Sequence, residues 1–330
     1  MDIVFAGTPD VAVPSLDALA ASGHRIRAVL TRPDAPIGRR RVLTPSPVKA
    51  RALELGLPVL EASRLRGDII AQLRSLDVDA VAVVAYGAIA GPAALGTAAL
   101  GWYNLHFSLL PAYRGAAPVQ RALIDGRPSS GVSVFRIDEG MDTGPVLRRR
   151  ELPLDHPDAA AALADYARLG APELVAVFDD LEAGTAHPQP QTGTPSHAEK
   201  IGIDDARLDL RRPASVLVDL SRGVSPSPGP WAELDGKRTK LFGLAAAPGP
   251  DDTDVGLLTS WNGTAVLRCG DGWVSVAEIQ PFGKSRMPAP DFLRGHGDVR
   301  FDVPAATAEP DPAEPADRDD PAPADANRGD

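Results

Sequence analysis

Asp2-Ile-Val-Phe-Ala6, then Gly7-Thr8-Pro9-Asp10, then Val11 to Ser22 is the stretch that decides the fold. Its first segment is apolar after Asp2, which predicts a strand buried in a sheet. Gly7 and Pro9 end that strand, and the residues that follow repeat at helical spacing. Arg25 to Thr31 reads as the next strand, so the opening is a strand-helix-strand unit. The turn after the first strand carries only one glycine. The dinucleotide fingerprint GxGxxG is therefore absent, which argues against a nicotinamide enzyme.

Working outward, the alternation continues with a helix over Val48 to Leu55, a strand over Pro58 to Glu61, a helix over Arg66 to Leu76 and a strand over Ala80 to Ala85. Strands joined by helices predict a doubly wound, mostly parallel, Rossmann-like α/β sheet. No charge occurs from Ala80 to Tyr103, but Ala and Gly dominate that run and Gly91-Pro92 interrupts it. It reads as strand, turn, short helix and strand, and not as a membrane span. Asp158 to Ala183 predicts one long helix or a broken pair. Residues 185–202 are a Pro/Gln/Thr-rich linker. Beyond it, short alternating runs are separated by Asp235-Gly236, Asn262-Gly263 and Asp271-Gly272, which predict hairpins of a small antiparallel, OB-like barrel over 203–302. The expected division is thus a catalytic domain over 1–184, the linker, the barrel, and a disordered Ala/Pro/Asp tail over 303–330.

In such a sheet, ligands bind beyond the carboxyl ends of the strands. Asn104 to Pro118 (NLHFSLLPAYRGAAP) leaves one of those ends and packs an amide, an imidazole, a hydroxyl and a guanidinium into one shaped loop. In an extended segment Asn104 and His106 share a face while Leu105 points to the core. Taken singly, a loop Asn is commonly a turn former and a lone His a structural residue. A second loop, Asp138-Glu139-Gly140-Met141-Asp142-Thr143-Gly144, is acidic, but its spacing matches no Ca²⁺ loop, so no metal is expected.

The single cysteine, Cys269, excludes an intrachain disulfide framework and reads as a core residue. With no signal-peptide pattern at the opening, a cytoplasmic monomer is expected. Net charge is −10, of which the tail from Val303 contributes −6, leaving about −4 on the folded part. Basic residues cluster at Arg39-Arg40-Arg41, Arg148-Arg149-Arg150 and Lys237-Arg238-Thr239-Lys240. Local patches of this kind suffice to bind nucleic acid on a mildly acidic body, though most are solvated surface.

Over roughly residues 1–300 the chain resembles the methionyl-tRNA formyltransferases. The resemblance rests on FAGTPD (Phe5 to Asp10), PSPVK (Pro45 to Lys49), VVAYG (Val83 to Gly87), NxHxSLLPxxRGxAP (Asn104 to Pro118) and DxGMDTG (Asp138 to Gly144). It implies 10-formyltetrahydrofolate as formyl donor and methionyl-initiator tRNA as acceptor, with Asn104, His106 and Asp142 as the catalytic set. Asn104 would donate to a developing oxyanion, and His106, oriented by Asp142 and favoured by it in the charged form, would move the proton. The resemblance further places the donor against Val84, Ala85, Tyr86, Gly87, Ala88, Ser108, Leu109, Leu110, Pro111, Ile137 and Asp138. It places tRNA against Arg39, Arg40, Arg41, Lys237, Arg238, Lys240, Lys284 and Arg286. Phe107 departs from the family pattern, where a small residue is usual, and is expected to tighten the pocket. Rival readings are a formyltransferase acting on an amino sugar nucleotide, which Ala116 and the DTG of Asp142 to Gly144 disfavour, and a folate- or tRNA-binding module without turnover.

Overall fold

The computed structural model describes residues 1–37, 41–251 and 253–303. Arg39, Arg40 and residues 304–330 of the tail lie outside the described residues.

A seven-stranded sheet carries the N-terminal half. Its strands are β1 (Asp2–Gly7), β2 (Arg25–Thr31), β3 (Val59–Glu61), β4 (Val78–Val84), β5 (Ala98–His106), β6 (Ser129–Arg136) and β7 (Val146–Pro153). They lie in the order β7-β6-β5-β4-β1-β2-β3. The first five strands in the chain pair in parallel, and β6 and β7 add antiparallel at one edge. Alternate residues of β1 face opposite layers, and both are dry. Ile3 and Phe5 join Leu16 and Leu19 of helix α1 (Val13–Ala20), whereas Val4 and Ala6 join Ile69, Ile70 and Leu73 of the helix Asp68–Ser75. The run after Asp158 forms one helix, Ala159–Glu182, despite Pro172 inside it; the Asp158 carboxylate caps its start by accepting from the Ala161 N–H at 2.8 Å.

The C-terminal half keeps the expected antiparallel, OB-like character, while the segment around Arg41 adds a feature of its own. The sequence between Arg32 and Val48, with four prolines, reads as a long loop, and the structure adds regular pairing to it. It folds as a hairpin pairing Ala35–Ile37 with Val42–Thr44, a pairing that no period-2 pattern announces over three-residue strands. The C-terminal half is antiparallel throughout, as expected of a small OB-like barrel, with a four-stranded and a five-stranded sheet wrapped on one core. The chain passes between the sheets at Gly243 and again at Val276-Ala277. Gly243 has φ +65°, and a Cβ there would lie 2.8 Å from that of Ala277, so the two corners nest only around a glycine.

The halves are docked. A helix over Pro118–Ile124 lies against one over Ala214–Val224 at Gly223, where a Cβ would come within 2.6 Å of the Gln120 carbonyl. Arg222 donates to the carbonyls of His156 and Leu154 at 2.9 and 2.6 Å. Among the described residues no helix is long and apolar enough to cross a membrane.

Candidate active site

The reversal of strand order between β1 and β4 opens a crevice at the carboxyl ends, beside which a cleft of about 550 Å³ has formed. Ladder pairing fixes Asn104 between Val83 of β4 and Phe135 of β6. The period of the strand then sorts the side chains. Trp102, Asn104 and His106 share one face, while Tyr103, Leu105 and Phe107 enter the main core. Phe107 is therefore a core residue on the opposite face from the cleft and does not tighten it.

Asn104 lines the cleft. Its Oδ1 is buried without a protein partner among the described residues. A side-chain amide lining the cleft can offer its N–H to a ligand oxygen. Behind it, His106 is only 6 % exposed. Its Nε2 stands 2.9 Å from the Tyr113 carbonyl oxygen. A carbonyl only accepts, so Nε2 carries the proton and Nδ1 keeps its lone pair. That Nδ1 lies 3.8 Å from Asp142 Oδ2. Burial pushes the His106 pKa below the ordinary histidine value and outweighs the opposing pull of Asp142 and of the Tyr113 carbonyl. Burial thus favours the neutral resting imidazole, while Asp142 favours the charged form as expected.

Asp142 reaches the imidazole from the acidic loop because its backbone takes a left-handed turn, φ +53°. Its Oδ2 accepts from the Gly115 N–H at 2.7 Å, which ties the acidic loop to the loop after β5. Asp138 closes the same loop internally, accepting from the Gly140 N–H and the Thr143 hydroxyl at 3.1 and 2.6 Å.

The cleft walls are backbone and apolar side chains: Ala85 to Ala90 on one side, Ile137 to Asp142 on the other, Trp102 and Phe135 at the floor. Ala85 and Gly87 both have positive φ, 48° and 84°, which turns the VVAYG segment across the mouth. Ala85, Tyr86, Gly87, Ala88, Ile137 and Asp138 therefore share this wall with Asn104 and Asp142. Val84 faces the main core instead, the reverse side of its strand. Ser108, Leu109, Leu110 and Pro111 also lie outside the wall. Ser108 donates to the Ala112 carbonyl at 2.6 Å, and Leu110 packs under Phe135 and Val146, so this turn is the scaffold behind the site. The sequence reading missed Trp102, whose buried indole N–H has no protein partner among the described residues, and Gln191, which donates to the Asp142 carbonyl at 2.8 Å.

The predicted basic residues fall in two places. Arg41 is exposed at the turn of the hairpin. On the four-stranded sheet, Arg238 stacks over Trp231 at 4.7 Å, with Arg207 also over that ring at 5.4 Å, and Arg286 lies over Phe242 at 3.9 Å. Lys240 pairs in register with Trp231, while Lys237 and Lys284 are exposed. Arg286 is also paired with Glu278, which lowers its availability to a phosphate.

The chain belongs to the formyl transferase family: residues 1–176 match "Formyl transferase" and residues 200–297 match "Formyl transferase, C-terminal domain". Within it, the chain is similar to the methionyl-tRNA formyltransferase of Paenarthrobacter aurescens, 48% identical over 89% of this chain and 97% of that one. Among solved structures, the fold resembles HypX from Aquifex aeolicus in complex with tetrahydrofolic acid (TM-score 0.61, 14% identity, 88% of this chain and 46% of that chain). It also resembles the methionyl-tRNA formyltransferase from Clostridium thermocellum (TM-score 0.53, 13% identity, 76% and 95%).

Proposed function

We propose that the protein transfers the formyl group of 10-formyltetrahydrofolate to the free amino group of methionyl-initiator tRNA, giving N-formylmethionyl-tRNA. The observation that carries the mechanism is the geometry of His106, its Nε2 on the Tyr113 carbonyl and its Nδ1 3.8 Å from Asp142 Oδ2, next to Asn104 at the cleft. A flat apolar cleft edged with backbone groups suits a fused heterocycle such as a folate head group. When bound, the donor supplies an activated formyl carbon.

This chain's residues then do three things. Asn104 places an N–H where negative charge develops on the formyl oxygen. His106 accepts the proton leaving the attacking amine at Nδ1 and returns it to the departing folate nitrogen, so proton count balances across the transfer. Asp142 faces the Nδ1–H that forms and stabilises the imidazolium only while it exists. No metal is required in this scheme. The acceptor is held at a distance by the Arg238–Trp231 and Arg286–Phe242 face, with Lys237, Lys240 and Lys284 around it, and by the arginine hairpin. The proposed setting is a monomer acting in the cytoplasm, where aminoacylated tRNA is used.

A competition assay tests the acceptor. With labelled 10-formyltetrahydrofolate, methionyl-initiator tRNA and an amino sugar nucleotide offered together, label is expected on the methionyl amine. Preferential labelling of the sugar would overturn the proposal.

A further inference from the structure

We propose that Gln191 is a positioning residue for Asp142, and that the segment joining the two cores serves as a strap holding both loops of the active site in register. The inference rests on the reading of Asn104, His106 and Asp142 as the catalytic set, and goes beyond it by assigning work to a segment that composition marks as a spacer.

Asp142 sits at φ +53°, a left-handed conformation that is uncommon for residues with a Cβ, though Asp tolerates it better than most. The Gln191 amide holds that bend. Its Nε2 donates to the carbonyls of Asp142 and Gly144, both at 2.8 Å, and so clamps the bend from both sides. Its Oε1 accepts from Arg114 Nε and Nη2 at 3.2 and 2.7 Å. Arg114 precedes Gly115, whose N–H holds the Asp142 carboxylate at 2.7 Å. Asp142, Gln191, Arg114 and Gly115 thereby form a closed ring, in which the backbone and the carboxylate of one residue are gripped by two loops.

Only a primary amide fits the central position. It must give two N–H donors to carbonyls on one side and an acceptor to a guanidinium on the other. A carboxylate of the same shape has no donor, and a cationic side chain has no acceptor.

The flanks of Gln191 are anchored just as tightly. Gln189 and Val146 exchange both backbone hydrogen bonds at 2.8 Å. Ser196 Oγ accepts from the N–H of Tyr113, the residue whose carbonyl holds His106 Nε2, at 2.8 Å. His197–Ala198 then pairs in parallel with Arg114–Gly115. The chain leading to the C-terminal core therefore touches the partners of both His106 and Asp142.

The test uses the full chain in single turnover, with donor saturating and tRNA varied up to saturation. Gln191→Ala and the isosteric Gln191→Glu are each expected to slow transfer about 10- to 100-fold, the effect of sub-ångström to ångström misplacement of a reacting group. The apparent KM for tRNA should stay within about twofold, as for a group that acts only in the transition state. The deciding comparison is a cycle with Asp142→Asn. If Gln191 acts through the Asp142 carboxylate, Gln191→Glu costs less than about twofold in that background. Equal losses in both backgrounds, or an unimpaired Gln191→Glu, would overturn the assignment while leaving the formyl-transfer reading intact, provided the wild type is active. A folded but inactive wild type would overturn both.

Discussion

Replacing Asp142 by Asn removes one charge and little else. The Asn Oδ1 keeps the acceptor that the Gly115 N–H needs at 2.7 Å, so the loop geometry is retained. The 3.8 Å separation between Asp142 Oδ2 and His106 Nδ1 sets the magnitude. At an effective dielectric of about 20, opposite unit charges near 4 Å attract by about 4 kcal/mol, which is an upper bound on what the transition state loses. At 1.36 kcal/mol per decade this corresponds to a fall of roughly 10²- to 10³-fold in the plateau rate. The pH profile supplies a second, signed readout. Neutral His106 is the active form, so the rate climbs as pH rises through its pKa. Asp142 raises that pKa against burial, which lowers it. Without the carboxylate, burial acts with less opposition, and the acid limb moves to lower pH while the plateau drops. The assay is single-turnover transfer across a pH series with saturating donor and acceptor. A plateau within threefold of wild type, or an acid limb displaced to higher pH, would refute the reasoning.

The remaining expectations concern other parts of the molecule. Asn104→Ala removes the amide donor and should lower the single-turnover rate about 10²- to 10³-fold, with circular dichroism and melting temperature near wild type; a normal rate would remove Asn104 from the mechanism. Gly131→Ala puts a Cβ 2.2 Å from the Arg150 carbonyl and 2.6 Å from Leu109 Cδ2, between β6 and β7. Overpacking of this kind costs about 1–3 kcal/mol. At about 2–4 °C per kcal/mol, a melting temperature lowered by several degrees is expected, and an unchanged one would show that the edge strand yields. Arg238→Ala leaves Trp231 with one fewer cation above it. It should weaken tRNA binding and reduce the slope of log K against log salt by about 1, leaving the folate KM unchanged, and an unaltered salt slope would place tRNA elsewhere.

How far the sequence foretold this can be judged from particular residues. The β1 apolar run and the helix after it were legible because each position's burial follows from a local period. The same period put Asn104 and His106 on one face and Leu105 in the core. Applied one residue further, it would also have sent Phe107 to the core. The hairpin over Ala35–Thr44 was not legible, since three-residue strands carry too little pattern. The neutrality of His106 was hidden for a different reason: it depends on burial and on a bond to Tyr113, seven residues away around a turn. Least visible was Gln191, which meets Asp142 across 49 residues through side-chain-to-backbone bonds that leave no periodic trace.

The most direct test of the account is a rapid-quench single turnover with formyl-labelled 10-formyltetrahydrofolate, excess protein and methionyl-initiator tRNA, followed through the amino acid after release from the tRNA. The account predicts one label per acceptor, on the methionine amino nitrogen, at a rate that Asn104→Ala and Asp142→Asn both depress by about two to three decades. Label that stays on the folate or is lost to water with folded protein, or transfer at the wild-type rate in both variants, would contradict it.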